Sequence, residues 1–178
     1  MRIIGGIYKG RKLAEFKGGN VRPTSDFARE SLFNILRDRI EGSCFLDAFS
    51  GTGAVGIEAL SRGAKLVAFN DLSKESVNII KQNLLKVSLP TNAKVSLGDA
   101  LYLMKKSAEE FDIIFLDPPY NAQITNEALL CAEVALKRGG VVVLEDEKYF
   151  EGEVSGLNYY DKRKYGRAHF SFFKKEEE

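Results

Sequence analysis

The amino-acid sequence predicts an α/β fold in which a mostly parallel sheet carries helices on both faces. Short apolar runs alternate with helix-like segments from residue 44 to residue 145, which is the pattern of repeated βα units. An acidic residue ends or closely follows each of the first four apolar runs. Two more strand-like runs, 157–165 and 167–174, meet around Gly166 and predict an antiparallel pair at a sheet edge.

The individual elements follow from local patterns, taken in chain order. Residues 1–20 alternate basic and apolar side chains around glycines and predict a small basic β-hairpin. Thr24 or Ser25 is expected to cap a helix that runs to residue 40, because its apolar residues keep helical spacing. The further predicted strands are 44–49, 66–71, 94–97, 111–117 and 141–145. The further predicted helices are 54–60, 74–85, 100–106 and 124–136.

Composition and length fit one ordinary globular domain. The chain has 178 residues, of which 44% are hydrophobic and 29% charged, and its net charge is +1. No apolar stretch reaches the ~18 residues of a membrane span, and residues 1–3 do not begin a signal peptide. Cys44 and Cys131 stand far apart in apolar surroundings and predict free thiols in a reducing compartment. With a single histidine, His169, in a strand-like run, we expect a cytoplasmic protein with no membrane or metal partner.

Basic residues are concentrated near the two ends of the chain. Residues 1–22 contain a single acid, Glu15, against six basic side chains: Arg2, Lys9, Arg11, Lys12, Lys17 and Arg22. A second cluster consists of Lys162, Arg163, Lys164 and Arg167. If the two clusters share a face, they could follow a phosphate backbone. Two separate solvated segments are the alternative interpretation.

The most informative stretch follows the fourth apolar run and reads Asp117-Pro118-Pro119-Tyr120. Neither proline has a backbone N–H, so the turn presents acceptors, namely a carboxylate and carbonyl oxygens. Each proline also holds the preceding residue in an extended conformation, which aims these acceptors in one direction. A rigid set of acceptors beside an aromatic ring suits a planar group with an NH₂ donor, such as a nucleobase. A buried strand that ends in a proline turn would be the simpler interpretation.

Glycines and acids at the ends of other strands indicate a nucleotide-like cofactor. The loop after the first strand contains Gly51 and Gly53, which let the backbone approach a ligand closely. Asp71 ends the second strand 20 positions after Gly51, where an acid suits a ribose diol. With Gly56 the loop spells G-x-G-x-x-G, so a nicotinamide-dependent oxidoreductase is one interpretation.

Asp47 favours a cationic cofactor instead. It stands just ahead of the glycine loop, which is an awkward place for a carboxylate if a pyrophosphate binds there. S-adenosylmethionine combines a sulfonium, an ammonium and a ribose diol, and it suits several acids at once. Asp99 is placed to contact its adenine amine. Helix caps or loop aspartates are the alternative interpretation of Asp47, Asp71 and Asp99.

These residues support a resemblance to a known family. The stretch 46–53 (LDAFSGTG) resembles the first motif of class I methyltransferases, and Asp117-Pro118-Pro119-Tyr120 resembles their amino-methylating motif. Together with stretches 1–6, 9–13 and 22–26, the chain resembles the RsmD family over essentially its whole length. These bacterial methyltransferases modify a guanine N2 in small-subunit (16S) ribosomal RNA. The resemblance implies a Rossmann-like class I methyltransferase fold and S-adenosylmethionine as methyl donor. It also implies small-subunit ribosomal RNA, or an assembling small ribosomal subunit, as the partner.

The resemblance further implies roles for individual residues. The catalytic, amine-binding set is Asp117, Pro118, Pro119 and Tyr120. The cofactor-binding set is Asp47, Phe49, Ser50, Gly51, Thr52, Gly53, Asp71, Leu72, Asp99 and Ala100. The expected RNA-binding set is Arg2, Lys9, Arg11, Lys12, Arg22 and Thr24.

Two residues depart from the family pattern. Phe27 stands where a basic residue is expected after Asp26, which argues against RNA contact by the helix that follows. Ser73 stands where an acid commonly follows the ribose-binding position, and this affects only cofactor detail. The predicted organisation is a basic extension over 1–22, a methyltransferase domain over 23–175 and a frayed tail over 176–178.

The expected reaction is direct transfer of a methyl group from sulfonium to the exocyclic amine. Asp117 and the Pro118 carbonyl would accept the amine N–H groups, and Tyr120 would stack on the extruded base. Neither a metal nor a covalent intermediate is required. Two further alternatives remain, an N6-adenine DNA methyltransferase with the same motif and an RNA-binding module that has lost catalysis.

Overall fold

The computed structural model describes residues 1–17, 24–88, 90–119 and 122–176. The strands are β1 Cys44–Asp47, β2 Leu66–Asp71, β3 Ala93–Leu97, β4 Phe111–Leu116, β5 Leu136–Asp146, β6 Asn158–Tyr165 and β7 Ala168–Lys174. The helices are α1 Asp26–Ile35, α2 Arg37–Ile40, α3 Ala54–Ser61, α4 Lys74–Lys86, α5 Ala100–Lys106 and α6 Ala122–Ala135. The seven strands form one sheet, and the helices pack on both of its faces, as predicted.

The strand order is β3-β2-β1-β4-β5-β7-β6. The first five strands pair in parallel, and β7 lies antiparallel between β5 and β6. The predicted C-terminal antiparallel pair at the sheet edge is therefore confirmed. The order reverses at β1, between β2 and β4, and an open α/β sheet binds ligands at such a switch point.

Two apolar cores lie on opposite faces of the sheet. The first contains buried residues of α1, α3 and α4 together with Phe170 and Phe172 of β7. The second contains residues of α5 and α6 together with Phe173 of β7. Neighbouring residues of β7 thus enter opposite cores, because side chains alternate across a strand. Over the described ranges, no helix is long and apolar enough to cross a membrane.

Three elements differ from the prediction in detail. The helix that begins at the Ser25 cap ends at Ile35, and a short helix follows from Arg37, because Leu36 has a ψ of 0° and bends the chain. Strand β5 starts before the predicted residue 141, with a register shift opposite Phe111 and Ile113. Within the described residues 1–17, the predicted N-terminal hairpin is represented by one isolated antiparallel bridge between Arg2 and Lys12.

The N-terminal arm, residues 1–17, packs against the sheet domain. Ile3 and Leu13 are buried in the first core. Glu58 of α3 accepts hydrogen bonds from the backbone amides of Ile4 and Gly5, both at 2.8 Å. Further along, the Ala14 amide donates to the Asn83 side chain of α4 at 2.6 Å. The arm is thereby attached to two helices of the domain.

Candidate active site

A cleft of about 860 Å³ lies at the carboxyl ends of the parallel strands. It brings together nine residues that the sequence assigned to cofactor or amine binding: Phe49, Gly51, Asp71, Leu72, Asp99, Ala100, Asp117, Pro118 and Pro119. A small cavity of about 70 Å³ adjoins it, sharing Phe49, Gly51 and Asp117. Asp47, Ser50, Thr52 and Thr24 line this second cavity. The strand ends therefore gather most of the predicted site.

The glycine loop after β1 is fixed to its neighbours by hydrogen bonds. The Ser50 hydroxyl donates to the Asp47 carbonyl at 2.7 Å and accepts from the Asn70 amide at 3.0 Å. Gly53 is the N-cap residue of α3 and has a φ of +78°, a backbone conformation that residues other than glycine rarely adopt. Ser50 and Gly53 thus shape the loop, and Asn70 of β2, which the sequence analysis missed, attaches it to the sheet.

The third glycine of the loop serves helix packing. A Cβ atom on Gly56 would lie 2.3 Å from the Phe69 ring, so α3 can approach β2 only with glycine there. The Gly56 amide donates to Asp47 Oδ2 at 3.0 Å. An amide in the first turn of α3, the kind of donor a dinucleotide pyrophosphate uses, is therefore directed at a carboxylate of the protein.

Asp47 is an acid in an unusual environment. It is buried, and desolvation raises the pKa of its carboxyl to about 7, opposed by the Gly56 hydrogen bond and assisted by the charges of Asp71 and Glu145. A carboxyl with such a pKa changes its charge near neutral pH. A cation placed beside it would favour the ionised form.

Asp71 and Asp99 both accept backbone hydrogen bonds at the rim of the cleft. Asp71 accepts from the Gly51 amide at 2.8 Å and from the Ser73 amide at 2.9 Å, so it joins the glycine loop to the start of α4. Asp99 caps α5 through one oxygen, which accepts from the Leu101 and Tyr102 amides. The capping alternative thus holds for Asp99, and both side chains still line the cleft.

The proline corner lies directly after β4. Pro118 is buried and Pro119 is exposed, while Tyr120 lies outside the described residues. Burial raises the pKa of the Asp117 carboxyl well above its ordinary value, and the charges of Glu145, Asp47 and Asp146 raise it further. The corner therefore offers an acceptor whose charge depends on the surrounding acids.

Glu145 is a site residue that the sequence analysis missed. Leu116 and Leu144 are register partners on β4 and β5, so Asp117 and Glu145 leave adjacent strands side by side. Burial raises the pKa of the Glu145 carboxyl, and a hydrogen bond from Thr24 opposes this rise. The Thr24 hydroxyl donates to Glu145 Oε2 at 2.6 Å. The available signal was an acid at the end of the fifth predicted strand, since each of the first four predicted strands also has an acid at or just after its end.

Phe16 and Lys17 of the arm were also missed. Both line the large cleft, and Phe16 lines the small cavity as well. The segment from Arg11 to Lys17 runs beside α4 towards the cleft, since Arg11 bonds the Lys86 carbonyl at 2.7 Å and Ala14 bonds Asn83. Nothing in the local sequence distinguishes Phe16 from an ordinary core residue.

The predicted RNA-binding residues occupy different positions. Arg2, Lys9, Arg11 and Lys12 are exposed on the arm, and Arg22 lies outside the described residues. Arg11 is held at the C-terminal end of α4, about 18 Å along that helix from the cleft. The hydroxyl of Thr24 is directed to Glu145. The members of this set that the structure describes are thus not gathered into one cluster at the cleft.

The fold and the cleft define a protein of the class I methyltransferase type, an α/β sheet with its site at the β1 switch point. The chain belongs to the family described as Conserved hypothetical protein 95, whose model matches residues 1–174. The resemblance to the RsmD family is thereby confirmed.

Relatives of known name agree with this family. A ribosomal RNA small subunit methyltransferase D of Haemophilus influenzae is 39% identical over 83% of this chain and 79% of its own length. A protein of the same name from Buchnera aphidicola is 34% identical, with 97% of this chain and 91% of that protein covered.

Solved structures share the fold. One structure, from Escherichia coli, has a description that proposes a methyltransferase. It has a TM-score of 0.88 and 27% identity, with 100% of this chain and 99% of that chain covered. Trm1 of Pyrococcus horikoshii, solved with S-adenosyl-L-methionine, has a TM-score of 0.73 and 19% identity over 93% of this chain and 60% of its own. At that identity the second likeness shows the fold alone.

Proposed function

We propose that this protein transfers a methyl group from S-adenosylmethionine to the exocyclic N2 of a guanine in small-subunit ribosomal RNA. One observation carries the proposal: Asp117 and Pro118 open onto the same cleft as Asp71 and the glycine loop. An amine held at the corner would therefore face a cofactor held by the loop. The names of the relatives, ribosomal RNA small subunit methyltransferases, supply the substrate class.

The donor set of the cleft fits this cofactor. Asp71 and Asp99 would accept hydrogen bonds from a ribose diol and from an adenine amine, and Leu72 and Leu101 would add apolar contact. Asp47 lies beside the loop as a buried carboxyl that a cation would ionise. When bound, S-adenosylmethionine supplies an electrophilic methyl group on a positively charged sulfur.

The corner residues activate and orient the amine. The guanine amine is a weak nucleophile because its lone pair is delocalised into the ring. Asp117 and the Pro118 carbonyl accept its N–H groups, which favours a pyramidal nitrogen and stabilises the positive charge that develops there. Fixing the amine in a near-attack position contributes up to about 7–11 kcal/mol in well-oriented reactions. Tyr120 is proposed to stack on the extruded base, worth about 1–3 kcal/mol.

The same site bears on the three alternative functions. A nicotinamide cofactor would place its pyrophosphate where Asp47 already takes the Gly56 amide. An adenine amine would fit the corner as well as a guanine amine, so a DNA adenine methyltransferase is separated by assay rather than by geometry. The intact acceptors of Asp117 and Pro118 in the cleft support catalysis over an RNA-binding module that has lost it. We propose that the substrate is the RNA of an assembling small subunit in the cytoplasm.

The decisive experiment changes Asp117. Asp117→Ala should reduce methyl transfer to small ribosomal subunits by at least about 100-fold, because an acceptor for the developing charge is lost. Affinity for S-adenosylmethionine, measured by calorimetry, should stay nearly unchanged. The matched control is Asp38→Ala, at an exposed aspartate on α2, which should leave both quantities at wild-type values.

Two outcomes would contradict the proposal. Loss of cofactor affinity in parallel with activity would assign Asp117 to the cofactor site. Methyl transfer by the wild-type protein to DNA but not to small subunits would replace the substrate. Mass mapping of the small-subunit RNA then identifies the modified base.

A further inference from the structure

Phe27 is a large apolar side chain at the surface, 63% exposed at the second position of α1. A single exposed apolar residue is normal in a folded protein, so exposure alone indicates nothing. The position of the ring is what distinguishes it. Three residues before it, Thr24 bonds Glu145, the neighbour of Asp117. Helix α1 therefore begins beside the proline corner, and Phe27 is within its first turn.

The ring of Phe27 forms a pair with Tyr165 of β6. Their centroids are 5.8 Å apart and the planes meet at 84°. Tyr165 in turn contacts Phe170 at 6.2 Å, and Phe170 is the register partner of Glu145. Strands lie about 4.8 Å apart, so β6 is about 15 Å across the sheet from β4 and the corner. That separation is within reach of nucleotides that flank a base bound at Asp117.

The pair leaves an aromatic face open. A perpendicular contact covers at most one face of one ring, and the high exposure of Phe27 shows that most of its surface meets solvent. Unpaired bases stack on such faces with little regard to their identity, because every base has a π-face. Sequence-specific RNA enzymes use this contact to hold nucleotides that have left the helix.

Exposed cations belong to the segments that carry or adjoin the pair. The side chain of Arg2 is 69% exposed and that of Arg163 is 52% exposed. Lys164 and Arg167 follow on the same hairpin and are exposed too. Each basic cluster of the sequence thus contributes a cation close to the pair in the chain or in space: Arg2 lies 3.9 Å from Asp26, which precedes Phe27, and Arg163 lies two positions before Tyr165 on β6.

Acids near the pair are largely engaged with cations. Asp26 lies 3.1 Å from Arg29 and 3.9 Å from Arg2. Asp161 lies 3.1 Å from Arg163. Glu30 is one helical turn further along α1, away from the corner. Glu30 shares a face of α1 with Phe27, and the exposed Lys164 and Arg167 add positive charge that suits a phosphate backbone.

We propose that Phe27, supported by Tyr165, is a stacking platform for an unpaired RNA base adjacent to the target nucleotide, with Arg2 and Arg163 at the flanking phosphates. The proposal rests on the proposed function, since it assumes RNA at the corner. It also gives a role to Phe27, the residue that departs from the basic pattern of the family. A ring at that position exchanges an ionic contact for a stacking contact.

The first test uses fluorescence, because the chain contains no tryptophan. Phe27→Trp introduces a unique fluorophore whose emission should be quenched when small ribosomal subunits lacking the modification are added. The control is Tyr102→Trp, since Tyr102 is 66% exposed on α5 and also has a neighbouring ring contact, from Lys106. Quenching of Phe27→Trp alone supports the platform. Equal signals from the two variants overturn it.

The second test separates stacking from structure and from charge. Phe27→Ala should raise the KM for small subunits about 5- to 150-fold, the loss of one stacked base. The KM for S-adenosylmethionine and the salt dependence of RNA binding should not change. Arg163→Gln should instead lower the salt slope by about one. Phe27→Trp should retain activity, and Tyr102→Ala should behave as the wild type.

The outcomes distinguish this inference from the function on which it rests. Wild-type methyl transfer with an unaltered KM in Phe27→Ala overturns the platform and leaves the proposed function intact. Absence of transfer by the wild type overturns the proposed function. If Phe27→Ala melts at lower temperature, the kinetics of Phe27→Trp decide, and a KM raised in that variant as well would assign the residue to the fold.

Discussion

The carboxyl of Asp117 lies beside the carboxyl of its neighbour Glu145. The two carboxyls leave adjacent strands side by side, and partial burial, which removes water from both, raises the pKa of each. The charge of Glu145 raises the pKa of Asp117 further. In the proposed reaction an ionised Asp117 stabilises the charge that develops on the amine, so activity should fall as pH decreases through the pKa of Asp117. Thr24 opposes protonation of Glu145 by donating a hydrogen bond.

Glu145→Gln should move the acidic limb of the pH–rate profile to lower pH. The substitution removes a negative charge beside Asp117, so the pKa of Asp117 falls and the ionised form persists in more acidic solution. The Gln oxygen can still accept from Thr24. Glu147→Gln, at an exposed position just after β5, is the control and should leave the limb in place. If the acidic limb of the pH–rate profile is unchanged in Glu145→Gln, a group other than this carboxyl pair controls it.

At the scale of elements, Glu58 attaches the arm to α3. It is fully buried, and it accepts from the Ile4 and Gly5 amides and from Arg62 at 2.7 Å. Arg29 of α1 is equally buried, lies 3.8 Å from Glu58, and donates to the Arg2 carbonyl. One carboxylate thus joins the arm to two helices, and the arm in turn delivers Phe16 to the cleft.

Glu58→Ala should destabilise the protein by about 3–5 kcal/mol, because it removes the buried one of the two acids beside Arg29 and leaves two arm amides without an acceptor. Denaturant unfolding measures this loss. Trypsin should also cut sooner at Lys9, Arg11 and Lys12 under native conditions. The control is Glu110→Ala, at an exposed glutamate before β4. An unchanged rate of cleavage in Glu58→Ala would mean that Ile3 and Leu13 hold the arm without it.

The whole molecule gathers carboxyls at one end of the sheet. Asp47 ends β1, Asp117 directly follows β4, and Glu145 is the second-last residue of β5; each carboxyl has a raised pKa. In the free protein the pKa of Asp47 is about 7. A cationic cofactor nearby lowers such values, so binding should release protons.

Affinity for S-adenosylmethionine should therefore rise with pH up to about the free pKa of Asp47 and level off above it. Linkage limits the rise to about tenfold per pH unit for each proton released. Calorimetry in two buffers of different ionisation enthalpy counts these protons. S-adenosylhomocysteine, which has a neutral sulfur, should release fewer, and Asp47→Asn should reduce the release. Equal proton release by the two ligands would contradict a role for the sulfonium charge.

Local sequence determined most of the elements and the composition of the cleft. The alternation of apolar runs and helices, the Ser25 cap, the tight glycine loop and the proline corner depend on neighbours in the chain, so period and turn chemistry were sufficient to predict them. The acid at the end of each strand could be assigned to one edge, because parallel strands end together. Tyr120 and Arg22 lie outside the described residues, and their proposed roles remain predictions.

Contacts between distant parts of the chain were decided only by tertiary structure. Thr24 meets Glu145 across 121 positions, and Phe27 meets Tyr165 because β7 is inserted between β5 and β6. Arg11, grouped by sequence with the other arm cations, is held at the far end of α4. The order and register of strands settle such pairings, and both depend on how helices and strands pack together rather than on any local pattern.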